Sequence, residues 1–345
     1  MLDLRRLRLL HELHRRGTVS AVADALSYSP STVSQQLGVL QREAGTRLFE
    51  PAGRRVRLTD AALVLVAHAE RLLAGVERAE ADLAAAANAV AGVVRIGAFQ
   101  SASLYLALPA MTAVPEAHPQ VQVELVEIES EPALDALRSH ALDIVIAEEY
   151  PGDPRPRLPG VDREDLLVEA VRLLLPPRHP QAAGGGPVPL AALAGERWAA
   201  THPGAGHEAF LRRVCHAHGG FEPDIRHRTN EMAILVSLVS AGHALTLMPD
   251  LVPAERVAAV AVRPVAEAPL NRTVFTAVRS SADRRPALNA VRDALRDAAR
   301  AAPDHGRSAV PDHGRSAVPE RARPRAAAGR AGGVSRAEAP TSAGH

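Results

Sequence analysis

Lysine is absent from this 345-residue chain; all 40 basic side chains are arginine. With alanine abundant and aromatics at 3%, this reads as a coding bias of the source, and the arginines alone are no sign of a nucleic-acid partner. A single cysteine, Cys215, excludes an intramolecular disulfide or dithiol switch and suits a reducing compartment. No apolar run approaches the roughly 18 residues that span a bilayer, and the N-terminus opens on charged helix formers instead of a signal core, so the expectation is a soluble, cytoplasmic protein. Catalytic signatures are missing as well: there is no Gly-x-Ser-x-Gly, His-Glu-x-x-His, Walker loop or Gly-x-Gly-x-x-Gly. The reading therefore contains no catalytic residue and no cofactor.

What is present is a division of charge. The net charge of +1 conceals +4 over residues 1–60, −7 over 61–299 and +4 over 300–345. A basic head on an acidic body fits a DNA-binding module joined to a domain that does not bind DNA. At this length, with 47% hydrophobic residues, two to three domains with sizeable cores are expected.

The stretch 20–58 carries the most specific pattern. Ser20 is expected to open a short helix with Ala23 and Leu26 on one face, and Ser27-Tyr28 to turn out of it. Ser29 caps a second helix and Pro30 takes its first position, where a missing N–H costs nothing. Val33, Leu37 and Leu40 share one apolar stripe, so Ser31, Gln35 and Arg42 face away from it, flanked by Thr32 and Ser34. Such side chains suit base edges and phosphates in a major groove. Residues 47–50 and 55–58 read as two short strands joined at Pro51-Ala52-Gly53, a wing whose tip carries Arg54 and Arg55. A preceding helix, 4–16, has Leu7, Leu10 and Leu13 or Leu4 on its buried stripe. Its arginines, Arg5, Arg6, Arg8, Arg15 and Arg16, face either phosphate or solvent.

These residues resemble the N-terminal pattern of the LysR-type transcriptional regulators: Ala21-Val22-Ala23-Asp24-Ala25-Leu26, Ser29-Pro30-Ser31-Thr32-Val33-Ser34-Gln35-Gln36-Leu37, Leu40, Gly45, Leu48-Phe49 and Leu58-Thr59. The sequence departs from that pattern at Gln41 (usually Glu), Pro51 (usually Arg) and Ala62 (usually Gly), and Gly38 lies inside the second helix at a position often basic in the family.

From Thr59, an N-cap, a long helix is expected to run to about residue 90. Leu65, Ala69, Leu72, Val76, Ala79, Leu83, Ala86 and Val90 alternate spacings of four and three, the seam of a coiled coil, although a helix packed on its own domain has a similar pattern. A dimer would present two recognition helices to DNA half-sites about one helical turn apart. Beyond Ala91-Gly92, strands and helices alternate as in an α/β domain with a parallel sheet. Strands are expected at 93–99, 121–128, 143–147, 166–175, 198–200, 224–228, 257–265 and 273–278, and helices at 102–111, 132–139, 190–193, 208–218, 232–241 and 286–299.

The resemblance covers about residues 1–300. It implies an α/β protein with an N-terminal all-α winged helix-turn-helix and a two-lobed, Rossmann-like regulatory domain similar to periplasmic binding proteins. The expected division is 1–58 for DNA binding, 59–90 for the linker helix and 93–300 for the lobes. Lobe 1 would comprise about 93–165 and 266–300, and lobe 2 about 166–265. In residues 303–345 the segment Pro-Asp-His-Gly-Arg-Ser-Ala-Val occurs twice in succession, and the composition cannot bury a core, so a disordered tail is expected.

Ser101 and Ser103 follow the first strand at a helix N-terminus, and Ser130 follows the second, where free amides favour an anion or where the serines merely cap. Glu129 and Glu148 nearby would suit a cationic group instead, so the sign of the ligand's charge stays open. The resemblance adds the positions Thr201, His202, Thr229, Asn230 and Met248 to an effector site. His202, His207, Cys215, His216, His218, His227 and His243 show no metal-finger spacing and are read as ordinary surface. The implied partners are promoter DNA, a small effector, further copies of the chain in a dimer or, by the resemblance, a tetramer, and RNA polymerase. The rival readings are a two-lobed binding protein or enzyme with an incidental helical head, and an architectural DNA binder with an unused cleft.

Overall fold

Thr18, not Ser20, starts the second helix. Its backbone is extended and its hydroxyl accepts from the Ala21 amide at 3.2 Å, which satisfies a donor that has no partner within the helix. The computed structural model describes residues 1–52, 55–86 and 90–302. It opens with α1 (Leu4–Arg16), α2 (Val19–Leu26) and α3 (Pro30–Ala44). Ser27 adopts a left-handed φ of 55° to turn the chain between α2 and α3, and Ser29 caps α3 through the Thr32 amide at 3.1 Å. Leu7, Leu10 and Leu13 pack with Val22, Val33, Leu37 and Leu40 in one small core, while Leu4 is exposed.

The wing strands β1 (Phe49–Ala52) and β2 (Arg55–Leu58) are antiparallel, with Pro51 opposite Val56. Pro51 and Ala52, expected in the turn, therefore belong to β1. Gln41 Oε1 accepts from the Leu48 and Phe49 amides at 2.9 and 3.2 Å, anchoring the start of the wing to α3, so this departure from the family pattern keeps an acceptor in place.

Thr59 accepts from the Ala62 amide at 3.2 Å and begins α4 (Asp60–Ala86). The expected seam divides. Ala69, with Ala62 and Val66, is buried in the core of the chain's own helical head and Leu65 packs against it, while Val90 packs on the lobe beyond. Leu72, Val76 and Leu83 are exposed apolar side chains, 71% exposed in the case of Leu83. On another face of α4, buried Glu77 receives Arg279 Nε at 2.8 Å and the Ser281 hydroxyl. Burial opposes ionisation of Glu77, but His140, Arg279 and Ser281 outweigh it and hold the carboxyl at about 2.

In the α/β region β3 (Gly92–Ala98) leads into α5 (Gln100–Ala102), a π-helical turn at Ser103–Ala107 and α6 (Leu108–Ala117). β4 (Val121–Glu127), α7 (Ser130–Arg138), β5 (Ile144–Glu149) and the long β6 (Val161–Leu175) follow. The second lobe contains β7 (Arg197–Ala200), α8 (Gly206–Val214), β8 (Asp224–Arg228), α9 (Met232–Ser240), β9 (Thr246–Pro249), α10 (Ala254–Val257) and β10 (Ala261–Arg263). β11 (Asn271–Arg279) returns to the first lobe and α11 (Pro286–Ala301) closes it.

The principal sheet has the order β10-β6-β11-β5-β3-β4, with β9 also on β6. It is mixed, not parallel throughout. β3 is parallel to β4 and β5, but β11 returns between β5 and β6 and is antiparallel to both. β6 pairs with β11 up to Ala170, and from Val171 it pairs with β9 and then β10, so these two strands cross between the lobes. The strand expected at 257–265 is interrupted: α10 occupies its start, and Pro264, without an N–H to donate, ends β10 after three residues. Residues 190–193 form a 3-10 turn. Lobe 1 is built around Ile96, Leu106, Ile146, Val274 and Leu288, and lobe 2 around Trp198, Phe210, Leu173 and Leu247. The tail 303–345 lies outside the described residues, as do Arg54 and the Arg55 side chain.

Candidate DNA-binding face and interlobe cleft

On α3 the buried stripe of Val33, Leu37 and Leu40 fixes the rotation of the helix, and Ser31, Thr32, Ser34, Gln35 and Arg42 are all exposed. Ser29 Oγ lies 2.8 Å from the hydroxyls of Ser31 and Thr32, which orders the first turn. The arginines of α1 are mostly committed elsewhere. Arg6 pairs with Glu43 at 2.7 Å, Arg16 with Glu12 at 2.7 Å and Arg15 with Asp135 of α7 at 2.7 Å, while Arg8 donates to the Ser139 carbonyl at 3.1 Å. The Arg15 and Arg8 contacts join the helical head to lobe 1, so α1 braces the head against the regulatory domain.

The interlobe cleft is organised by Arg272 of β11, which the sequence reading missed. It is 3% exposed. Its Nε donates to Glu169 at 2.8 Å, its Nη1 to Glu148 and its Nη2 to the Ser101 hydroxyl at 3.1 Å. Burial disfavours the guanidinium, but Glu169 and Glu148 more than compensate and keep it charged. The second Glu169 oxygen accepts from the Leu251 amide, and the Tyr150 hydroxyl donates to Glu148 at 3.4 Å. Two buried carboxylates thus share one cation. Beside them Glu129 is pushed up, first by burial and then by Glu148 and Glu127.

From lobe 2, His207 Nε2 donates to the Leu247 carbonyl at 2.7 Å, and burial pushes the imidazole down to about 4. Its other nitrogen is therefore free to accept from the Thr201 amide at 3.4 Å. Gln100 spans the lobes: its carbonyl accepts from the Met232 amide at 2.6 Å and its amide donates to Glu231. The space enclosed by Phe99, Ser101, Glu129, Tyr150, Thr201 and Asn230 is about 20 Å³, enough for one water and no organic ligand.

Of the expected effector residues, Ser101, Thr201 and Asn230 line this cleft. Ser103 turns back to donate to the Ala98 carbonyl at 3.1 Å, and Ser130 accepts from the Glu148 amide at 3.1 Å; both are buried supports. Thr229 accepts from the Glu231 amide at 3.1 Å, and exposed His202 donates its own amide to Asn230 at 3.0 Å. Met248 lines a different cavity, in lobe 2. Among the described residues no three His, Cys, Asp or Glu side chains assemble as a metal site.

Two family models match the chain. The bacterial regulatory helix-turn-helix protein, lysR family, covers residues 4–63, and the LysR substrate binding domain covers 87–300. A Mycobacterium avium protein described as "Probable hydrogen peroxide-inducible genes activator" is 32% identical over 235 residues, 67% of this chain and 72% of that protein. The HTH-type transcriptional regulator CbbR of Rhodospirillum rubrum is 26% identical over 302 residues, 86% of this chain and 97% of its own. Among solved structures, a cysteine-to-aspartate variant of full-length OxyR from Pseudomonas aeruginosa superposes with a TM-score of 0.62 at 23% identity, covering 86% of this chain and 95% of that one, a likeness of fold.

Proposed function

The chain belongs to the lysR family of bacterial helix-turn-helix regulators, and on that premise we propose which of its residues read DNA and what its cleft binds. It is a DNA-binding transcriptional regulator with an effector-binding domain. Ser31, Thr32, Ser34, Gln35 and Arg42 contact the major groove, with Arg54 and Arg55 of the wing on phosphate. The observation that carries this is the set of exposed hydrogen-bonding side chains opposite and flanking the buried stripe of α3. The exposed Leu72, Val76, Ala79 and Leu83 pair with a second copy, which sets two such helices on one operator. The protein acts in the cytoplasm, contacts RNA polymerase at its promoters and catalyses no reaction.

The effector carries an amino or other cationic group. Glu148 and Glu169 share a single arginine, and Glu129 resists ionising beside them, so an added cation would relieve like-charge repulsion in the cleft. Entry requires the Gln100 clasp to open. Activation of hydrogen peroxide-inducible genes, the role in the name of the Mycobacterium avium relative, is not proposed for this chain. Cys215 is the chain's one cysteine, it is fully buried, and burial raises its thiol to about 12, which leaves no reactive thiolate.

Footprinting on the DNA beside the protein's own gene tests the DNA reading, with Gln35→Ala as the variant. Loss of about 1–3 kcal/mol at one base position is expected, with other positions unaffected. Unchanged affinity and unchanged base preference would refute the assignment of Gln35.

A further inference from the structure

A cavity of about 430 Å³ lies away from the interlobe cleft, within lobe 2. That is within the roughly 300–1,000 Å³ of typical small-molecule sites, whereas the cleft has no such room. Its apolar wall is formed by Leu174, Met248, Val252 and Val262. Arg172 and Asp250 also line it, but pair with each other at 3.3 Å and so cancel in charge. Arg256 and Arg263 line it too, and among the described residues neither has a carboxylate within ion-pair distance. Arg263 is held at the wall by donating to the carbonyls of Val262 (2.8 Å) and Ala182. The one other acid at the cavity, Glu255, is exposed, as is Arg256, and it offsets only one of the two cations. Cations therefore exceed acids around an apolar chamber.

We infer that this lobe 2 cavity is a second ligand site, distinct from the cleft, and that it takes a small monocarboxylate with an apolar aliphatic or aromatic body. The body lies against Leu174, Met248, Val252 and Val262, and the carboxylate meets Arg256 and Arg263. A neutral ligand would leave the cations unused, and a cationic one would be repelled.

The wall between the cavity and the cleft makes this site regulatory. Pro249 lines both spaces. On one side of that segment Met248 faces the cavity; on the other the Leu247 carbonyl accepts from His207 and the Leu251 amide donates to Glu169. A ligand that displaces residues 248–251 thus acts on both His207 and the partner of Arg272, and biases the lobe arrangement to the extent that it binds one arrangement better.

The test is calorimetric titration of the full chain with sodium hexanoate, using hexylammonium chloride and 1-hexanol as controls for charge and body. Saturable hexanoate binding is expected, with hexanol weaker and hexylammonium absent. Arg256→Glu, at an exposed position, should weaken hexanoate at least about tenfold, about 1.4 kcal/mol. Val262→Trp, which fills the chamber, should abolish it. A thermal melt of each variant checks folding. No hexanoate heat up to about 10 mM, equal binding of hexylammonium, or full affinity in folded Arg256→Glu or Val262→Trp would each overturn the assignment.

Discussion

Gln100 accepts from the Met232 amide at 2.6 Å, so the first residue of α5 in lobe 1 holds the first residue of α9 in lobe 2. The same side chain donates to Glu231, the residue just before α9. One glutamine therefore supplies both a donor and an acceptor across the lobe junction, and it satisfies an amide that the start of α9 leaves without a helical partner.

Replacing Gln100 with alanine removes both bonds. A neutral bond contributes about 0.5–1.5 kcal/mol and one to a carboxylate about 1.5–3 kcal/mol. Hydrogen exchange at Met232 should then accelerate by about an order of magnitude or more, while exchange in β3 stays slow. An unchanged Met232 rate would mean that the clasp is not formed in solution.

Arg272→Met leaves Glu148 and Glu169 buried without their cation, which should cost about 3–5 kcal/mol of stability near neutral pH. Adding Glu148→Gln and Glu169→Gln should recover most of that loss, because the penalty comes from uncompensated charge more than from lost packing. Urea unfolding of the single and triple variants measures both. If the triple variant is no more stable than the single, the charge explanation is wrong.

His207 gives the regulatory domain a pH dependence of defined sign. Its imidazole is held at about 4, below the ordinary 6.5. Between those values the unfolded chain takes up a proton that the native chain excludes, so stability is full above 6.5 and falls as the pH drops toward 4. The contribution is on the order of 3 kcal/mol. His207→Gln, which keeps a donor and an acceptor, should flatten that part of the stability profile. A wild-type profile with no fall in this window would contradict the buried neutral imidazole.

Leu72→Asp places a charge on the exposed part of α4, where the second copy would present the same charge against it. The variant should sediment as a monomer and lose operator binding while the lobes keep their melting transition. An intact dimer would show that the pairing surface lies elsewhere.

Much of the DNA-binding head could be read from residues alone, because its determinants are local. Ser29 and Pro30 set the start of α3, Val33, Leu37 and Leu40 set its rotation, and the reading face follows from helical geometry. Even there Thr18 displaced Ser20 as the cap by two residues, a choice between neighbouring hydroxyls that composition does not make. The seam of α4 shows where periodicity stops being informative. Ala69 and Leu72 obey the same heptad, but α1 and the rest of the head cover the first, while the second stays exposed.

The cleft depended on tertiary structure almost entirely. Arg272 stands in a strand with no local mark of burial, and its carboxylate partners Glu169 and Glu148 are 103 and 124 residues away. Only the return of β11 between β5 and β6 brings them together, and only then does a buried arginine become affordable. Met248 illustrates the same limit. The resemblance placed it in the effector site, but which of two cavities it faces was decided by how β9 lies on β6. Hydrophobic period and capping act over a few residues and so are written in order along the chain, whereas charge pairing and cavity walls are set by the packing of distant strands.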